Sequence, residues 1–257
     1  MLSGIIPYSS SHSAKKLNNK FILFLDIIRL YAIIERNMCG RFTLGHPSKI
    51  KSRFNTKNSV SDFDASYNIS PSQYLPTITR NSPNKITMMR WGMLFGKDSR
   101  FGPINIRSET TKDRPYFRKL LLNKRCIVPS DGFYEWKILN LEGKAEKYPF
   151  YIYQKDNKLF GFAGLYNRFD DAEGKSYFTF AILTCPPNDA IKTIHNRMPV
   201  ILQEKDENTW LDNKIEDFET LYYLLKPYPN ELKFHPVSKD VNNPKYDNEN
   251  LINAYCY

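Results

Sequence analysis

Cysteine is scarce in this sequence, and the cysteines lie far apart. The 257 residues include four of them, and these are Cys39, Cys126, Cys185 and Cys256. No two have the short spacing of zinc ligands, so we expect neither a metal site nor another cofactor. So small a set in a chain of this length does not predict a disulfide framework, and it favours a reducing cytoplasm as the location.

A hydrophobic run long enough to cross a membrane is also missing. Residues 21–34 form the most apolar segment, and Asp26 and Arg29 interrupt it. A bilayer requires about 20 predominantly apolar residues. No small-residue cleavage site of a secretory signal follows the segment. We therefore expect no membrane association.

The apolar run belongs to residues 1–37, which differ in character from the rest of the sequence. Three interpretations remain open: sequence translated upstream of the true start, an amphipathic helix, or a weak membrane anchor. We favour the first, because Met38 can serve as an initiator. Residues 1–37 are then a non-native or disordered extension, and residues 38–257 form the functional domain.

Flexible linkers and internal repeats are absent after residue 38, which predicts a single domain. Short β-rich runs dominate this region, and four segments have helical patterns. The predicted strands cover residues 77–80, 86–91, 150–153, 159–163 and 177–183, and the predicted helices cover residues 47–54, 115–123, 188–194 and 216–225. Strands in the core with helices at the periphery make an α+β fold, and we expect a monomer.

Basic residues outnumber acidic ones. Lysine and arginine total 37 against 27 aspartate and glutamate residues, which gives a net charge of +10. This excess favours a polyanionic partner, nucleic acid first. Many basic proteins carry a similar excess on solvated surfaces, so the charge by itself does not decide the partner.

Cys39 directly follows Met38 in the segment Met-Cys-Gly-Arg-Phe. If translation starts at Met38, removal of the methionine leaves Cys39 with a free α-amine beside its thiol. The amine can form a Schiff base with an aldehyde, and the thiol can then close a five-membered ring. An α-amine has a pKa of roughly 7.7 to 8.0, so a useful fraction is neutral near neutral pH. The alternative is that Cys39 is an ordinary buried residue.

Four further polar clusters accompany Cys39. They are Tyr-Asn-Ile-Ser-Pro at residues 67–71, Ile-Asn-Ile-Arg-Ser-Glu-Thr at 104–110, Asp-Gly-Phe-Tyr-Glu-Trp at 131–136 and Ile-His-Asn-Arg-Met-Pro at 194–199. In this order they closely resemble the motifs of the SOS-response-associated peptidase family, whose members are abasic-site processing proteins. The resemblance runs from residue 38 to roughly residue 238. Pattern and resemblance together predict an α+β domain with a mostly antiparallel, barrel-like β core and peripheral helices.

The resemblance implies a chemistry for four residues. Family members act in the DNA damage response and capture the ring-opened aldehyde of an abasic site in single-stranded DNA as a thiazolidine, a covalent DNA–protein crosslink. By resemblance, Cys39 supplies the amine and the thiol, and Asn105 positions the cysteine and the sugar. Glu135 resembles the glutamate that acts as acid and base, and His195 resembles the histidine that assists proton transfer. The implied partner is single-stranded DNA that contains abasic sites.

Three arginines resemble those that hold DNA phosphates in the family. Arg41, Arg107 and Arg197 suit this task because a guanidinium group can bind a phosphate through two parallel hydrogen bonds. Asn68, in the first of the polar clusters, is expected to bind DNA with them. The alternative for each arginine is a surface ion pair, for instance Arg107 with Glu109.

The segment after Trp91-Gly92 departs from the family pattern. Family members commonly have a proline and one or two further aromatic residues there, which stack where single-stranded DNA meets duplex. This chain has Lys97 and Asp98 in that segment. We expect little preference for such junctions unless Phe95 or Phe101 takes over the stacking.

Two other functions remain open. An amino-terminal cysteine also serves thiol hydrolases, and the peptidase in the family name would then describe hydrolysis, or only autocatalytic removal of the initiator methionine. A lyase activity at the Schiff base is a further expectation. The second alternative is a non-catalytic module that binds single-stranded DNA through basic charge and aromatic side chains.

Overall fold

The computed structural model describes residues 40–61, 63–95, 102–155 and 158–257. Three groups of sequence predictions fall outside these ranges: those on the extension 1–37, on Cys39, and on the segment that holds Lys97, Asp98 and Phe101. They stay predictions.

One β-sheet has five strands. They are β1 (Arg41–Leu44), β2 (Ser66–Ile69), β7 (Gly132–Leu141), β8 (Lys144–Gln154) and β13 (Leu232–Pro236). Their order across the sheet is β13-β8-β7-β1-β2, and all neighbours are antiparallel. β1 therefore lies between β7 and β2.

The other sheet curls into a barrel of five strands. They are β3 (Tyr74–Thr79), β4 (Ser82–Trp91), β6 (Arg125–Ser130), β9 (Phe160–Asp170) and β10 (Ser176–Cys185). Each pairs with the next in the order β4-β3-β6-β9-β10, and β10 pairs back with β4, which closes the ring. The β10–β4 pair is parallel and the other four are antiparallel. The predicted α+β fold with a mostly antiparallel, barrel-like core is confirmed.

Three short strands extend the barrel sheet. β5 (Asn105–Arg107) runs parallel to β10 and pairs with residues 182–184, beyond the point where β4 ends. β11 (Met198–Pro199) pairs with residues 184 and 185 of β10, and β12 (Ile201–Leu202) pairs with β9. The carboxyl end of β10 therefore lies between β5 and β11.

Buried aromatic residues join the barrel to the five-stranded sheet. The ring of Phe42 in β1 lies 5.0 Å from Trp91 and 5.7 Å from Phe162, measured between centroids. Phe133 in β7 lies 6.0 Å from Phe162. Because side chains alternate across a strand, Glu135 belongs to the same barrel-facing side of β7 as Phe133.

Short helices surround the sheets. They are η1 (Pro47–Lys49), α1 (Ile50–Arg53), α2 (Ser108–Asp113), α3 (Pro115–Asn123), α4 (Asp189–Lys192), α5 (Glu204–Leu211), α6 (Phe218–Tyr223), η2 (Lys239–Asn242) and η3 (Glu249–Ile252), where η marks a 3₁₀ turn. α3 has the predicted bounds, and Pro115 suits its first turn because that position needs no N–H donor. α4 and α6 start later than predicted because Asn188 and Asp217 act as N-caps.

The predicted strands overlap β3, β4, β8, β9 and β10. The predicted helix at residues 47–54 is a 3₁₀ turn followed by the single turn of α1. Within the described ranges, no helix combines the length and the hydrophobicity needed to cross a membrane.

The C-terminal segment, residues 237–257, packs on the face of the five-stranded sheet that points away from the barrel. Val241 and Leu251 are buried there with Tyr134 and Tyr151. Burial raises the pKa of both tyrosines, so their phenols stay neutral. The hydroxyl of Tyr134 donates to the carbonyl oxygen of Tyr67 at 2.7 Å, which ties β7 to β2.

Candidate active site

Strand β1 starts beside the part of β7 that holds Glu135. Arg41, the first residue of β1, pairs with Tyr134, the chain neighbour of Glu135. Gly40 is the first described residue, and Cys39 precedes it outside the described ranges. Glu135 is 1% exposed, so its carboxyl group is almost entirely withdrawn from bulk water.

Asn105 lies on the surface that faces this side of β7. It pairs with Ile182 of β10. Trp91 pairs with Phe180, which is two residues earlier in β10 and therefore on the same face as Ile182. Paired residues share a face of a sheet, so Asn105 is on the same face as Trp91, whose ring contacts β1 at 5.0 Å. Asn105 is fully buried. Asn105 and Glu135 therefore belong to the facing surfaces of the two sheets.

Two of the predicted DNA-binding arginines converge on Thr184, near the end of β10. Arg107 is the register partner of Thr184. Arg197 donates from Nη2 to the carbonyl oxygen of Thr184 at 2.7 Å. The fold thus brings the backbone of Arg107 and the guanidinium group of Arg197, which are far apart in the sequence, to the same residue of β10.

Arg197 also forms a two-point ion pair with Glu109 in α2. Nη1 lies 2.7 Å from Oε1, and Nη2 lies 2.9 Å from Oε2. Burial opposes ionisation of this carboxyl group, but hydrogen bonds and positive charge from Arg197 outweigh it and lower the pKa of Glu109 from its ordinary value of 4.5. The structure pairs Glu109 with Arg197, and the pair of Arg107 with Glu109 that the sequence suggested stays a prediction.

The backbone of Arg197 orients the ring of His195. The N–H of Arg197 donates to Nδ1 of His195 at 3.2 Å, and the carbonyl oxygen of Arg197 lies 3.3 Å from the same nitrogen. The N–H group can donate to Nδ1 in one neutral tautomer, and the carbonyl oxygen can accept from the Nδ1–H group in the other. The backbone of Arg197 therefore orients the ring in either tautomer.

Arg41 and Asn68 bind each other and the C-terminal segment. Nη1 of Arg41 donates to Oδ1 of Asn68 at 3.0 Å and to the carbonyl oxygen of Val241 at 2.6 Å. Nδ2 of Asn68 donates to two more carbonyl oxygens of that segment, at 3.0 and 2.6 Å. Burial lowers the pKa of Arg41. These contacts lie on the face of the sheet that points away from Glu135, so the seven predicted site residues within the described ranges do not form one cluster.

Asp131 is a residue of this region to which the sequence assigned no role. Its carboxylate accepts hydrogen bonds from the N–H groups of Gly45 and His46 at 2.7 and 3.2 Å, and from the hydroxyl of Thr43. These bonds tie the end of β1 to the turn that precedes β7. They help to fix the pairing that starts β1 beside Glu135. The only indication in the sequence was that Asp131 opens the cluster at residues 131–136.

Two of the described cysteines are poor nucleophiles. Cys126 and Cys185 are fully buried. Burial raises the pKa of the Cys185 thiol to about 12 and also raises that of Cys126. Because the thiolate is the reactive form, neither is a nucleophile near neutral pH. Cys256 is exposed. Across the described ranges, no group of three or more His, Cys, Asp or Glu side chains is placed to hold a metal ion.

Comparison with known proteins gives a consistent family match. A sequence model of the SOS response associated peptidase family matches residues 38–244. The chain is 40% identical over 227 residues to the abasic site processing protein YoqW of Bacillus subtilis, which covers 85% of this chain and 100% of that protein. It is 40% identical over 226 residues to the abasic site processing protein YoaM of the same organism, with 84% and 98% covered.

A solved structure from Bacteroides thetaiotaomicron has the same fold. The two superpose with a TM-score of 0.72 at 26% identity, and the match covers 85% of this chain and 100% of that one.

Proposed function

Because the chain belongs to the SOS response associated peptidase family, we propose that it processes abasic sites in DNA by covalent capture. Its relatives YoqW and YoaM are named for abasic site processing. The observation that carries the proposal is the pair of facing surfaces: Glu135 on β7 and Asn105 on β5, with β1 starting beside Glu135. A buried carboxyl group can exchange a proton with a sugar, and a buried amide can position the sugar by hydrogen bonds.

Cys39 is the proposed nucleophile, and covalent geometry limits its distance from this site. Cys39 is two residues before Arg41, and two residues of chain span at most about 7 Å. Arg41 in turn is paired with Tyr134, next to Glu135. If Met38 is removed, the α-amine and the thiol of Cys39 are proposed to act at the carboxyl group of Glu135.

The first step is opening of the sugar. An abasic deoxyribose is mostly a closed hemiacetal, so a base must take the proton of its anomeric hydroxyl while an acid protonates the ring oxygen. The bond from C1′ to the ring oxygen then breaks, which yields the aldehyde and a free hydroxyl. Glu135 and Nε2 of His195 are the proposed base and acid, and each such group contributes about 10²- to 10⁴-fold. Asn105 is proposed to position Cys39 and the sugar.

The second step joins protein and DNA. The neutral α-amine of Cys39 adds to the aldehyde, and loss of one water molecule gives a Schiff base. The thiol then adds to the imine carbon, and its proton goes to the imine nitrogen, so the thiazolidine ring closes without an oxidant or reductant. Aldehyde and aminothiol thus give thiazolidine and water.

Arginines are the proposed ligands of the DNA backbone. Arg107 and Arg197 converge on Thr184, and Arg41 is proposed to contact a phosphate beside Asn68. Phosphate contacts carry no base information, so selection of the site depends on the missing base and on a flexible backbone. A nucleotide without a base costs little to move into a pocket. We therefore propose that the substrate is single-stranded DNA and that the protein acts on it as a monomer.

Two further activities belong to the proposal as alternatives. A Schiff base acidifies the hydrogens on C2′, which permits cleavage of the strand by elimination, a lyase reaction in competition with ring closure. Hydrolysis of a peptide bond by the Cys39 thiol would be an autopeptidase reaction that releases Met38. A module that only binds single-stranded DNA would do neither.

Reductive trapping separates these functions. The protein is incubated with an abasic single-stranded oligonucleotide, with and without cyanoborohydride, and the products are separated by denaturing electrophoresis after heating. The native protein should form an adduct that survives heat without reduction, because a thiazolidine is stable. Cys39→Ala and Cys39→Ser should form no such heat-stable adduct, and because both keep the α-amine, each should be trapped only by reduction. Cys256→Ala is the control, since it removes an exposed cysteine. An undiminished heat-stable adduct in Cys39→Ala would sink the thiazolidine mechanism.

A further inference from the structure

We propose that Glu109 is a positioning residue for the reaction, because its ion pair with Arg197 fixes the backbone groups that orient the ring of His195. The inference rests on the proposed function and adds a residue to it.

The ion pair joins the two elements that flank the end of β10. Glu109 is the second residue of α2, which follows β5 directly. Arg197 directly precedes β11, on the other edge of β10. Its guanidinium group binds both oxygens of Glu109 and also the carbonyl oxygen of Thr184 in β10. One side chain therefore connects α2, β10 and the start of β11.

Arg197 depends on Glu109 for its charge balance. The side chain of Arg197 is 12% exposed, whereas that of Glu109 is 45% exposed. Nε of Arg197 is buried and lacks a hydrogen-bond acceptor in the described part of the chain. A buried cation that loses its carboxylate partner is left uncompensated, which favours its movement to solvent. Without Glu109, Arg197 should therefore leave its place and carry its backbone with it.

That backbone sets the ring of His195. Both groups near Nδ1, the N–H and the carbonyl oxygen, come from Arg197. The main chain of His195 is held separately, by donation from its N–H to the carbonyl oxygen of Ile191 at 2.9 Å. A shift of Arg197 should therefore rotate the ring and leave the position of the loop nearly unchanged.

A competing interpretation makes Glu109 a stand-in for phosphate. In that case the phosphate that Arg197 is proposed to bind would replace Glu109 rather than bind beside the ion pair, and removing the carboxylate would strengthen binding without slowing the chemistry. The two interpretations predict opposite results for the rate at saturating DNA.

The test compares Glu109→Gln with a matched charge change elsewhere. Asp170→Asn removes a carboxylate from an exposed ion pair with Arg168, whose Nε lies 3.0 Å from Oδ1. Asp170 pairs with Ser176 at the other end of β10, eight residues from Thr184, which is about 26 Å at about 3.3 Å per residue. Each variant loses one negative charge, so a difference between them is not an effect of net charge.

Two readouts are taken. The first is the single-turnover rate of crosslinking at saturating abasic DNA, which we expect to fall by roughly tenfold in Glu109→Gln, since a misplacement of about 1 Å can cost up to 10²-fold. The second is the ¹⁵N spectrum of the His195 ring in the DNA-free protein. It should report the same distribution of the two ring tautomers in the native protein and in Asp170→Asn, and a changed distribution in Glu109→Gln, because both groups near Nδ1 come from Arg197.

A native rate together with a native ring spectrum in Glu109→Gln would overturn the proposal. If Glu109→Gln fails to fold, Arg197→Lys serves instead. A lysine cannot bind Glu109 at two points and Thr184 at the same time. We therefore expect the same fall in crosslinking rate and the same change in the ring spectrum of His195. If the native protein forms no crosslink, the proposed function fails, and the ring spectrum, which needs no DNA, still decides the role of Glu109.

Discussion

Arg41 in β1 pairs directly with Tyr134 in β7. The pairing starts β1 beside Glu135, whose carboxyl group is buried on the barrel-facing side of the sheet. Asp131 reinforces it by binding the other end of β1. The residue two positions before Arg41 is the cysteine to which the proposed chemistry assigns both nucleophiles. The proposal therefore depends on how β1 begins.

Removal of the proposed acid and base should slow the chemistry more than it weakens binding. Glu135→Gln and His195→Ala keep the phosphate ligands, so we expect single-turnover crosslinking to slow by about 10²- to 10⁴-fold with little change in DNA affinity. Glu146→Gln, which changes an exposed carboxylate paired with Lys239, is the control. If Glu135→Gln crosslinks at the native rate, its acid–base role is wrong.

Loss of a phosphate ligand should weaken DNA binding more than it slows the chemistry. Arg107→Ala should weaken the affinity for single-stranded DNA and reduce the slope of log affinity against log salt by about 0.7 to 1, as expected for one phosphate contact. The rate at saturating DNA should change much less. The measurement is a salt titration by fluorescence anisotropy, and an unchanged slope would remove Arg107 from the phosphate ligands.

Binding should differ little between plain single strands and single-strand–duplex junctions. The reason is that Lys97 and Asp98 stand where family members have stacking residues. Competition between the two oligonucleotides measures the preference. A tenfold preference for the junction, equal to about 1.4 kcal/mol and comparable to one stacked base, would show that other aromatic side chains have taken over.

The contribution of Glu109 to stability should disappear in acid. Its pKa is lowered in the folded protein, where burial opposes ionisation and the hydrogen bonds from Arg197 outweigh it. A lowered folded-state pKa stabilises the protein above the ordinary value of 4.5, and that contribution is lost as the pH falls through the folded-state value. The stabilities of the native chain and Glu109→Gln, measured by urea unfolding, should therefore differ at neutral pH, and the difference should shrink as the pH falls below 4.5. A difference that persists unchanged in acid contradicts the assigned shift.

Local sequence patterns were sufficient to predict the longer strands and helices. The cores of β4 and β10 could be predicted from continuous runs of β-favouring residues, and α3 from the proline at its first position. β5 and β11 have three and two residues, and they exist because they pair with β10. Pairing between distant segments leaves no periodic pattern in so short a stretch.

In the candidate site, too, the sequence indicated individual residues but not the contacts between distant segments. The motifs indicated Asn105, Glu135 and His195, but not which sheet face each would occupy. The ion pair of Glu109 with Arg197 joins residues that are distant in sequence, and the sequence suggested only the nearer Arg107 as a partner. The hydrogen bonds of Asn68 with the C-terminal segment depend on how that segment returns over the sheet, which a local pattern does not encode.

The central claim is that the reactive chain begins at Cys39, and one measurement tests it directly. A peptide bond on the nitrogen of Cys39 would remove the amine, so no thiazolidine could form. A chain that starts at Met38 and the full 257-residue chain are each incubated with abasic single-stranded DNA, and intact mass is recorded before and after. The shorter chain should lose its methionine and gain the mass of the oligonucleotide less one water, and the longer chain should form no adduct unless it is cleaved before Cys39. A full-length chain that is uncleaved and crosslinks as fast as the shorter one would contradict both the start site and the amino-terminal mechanism.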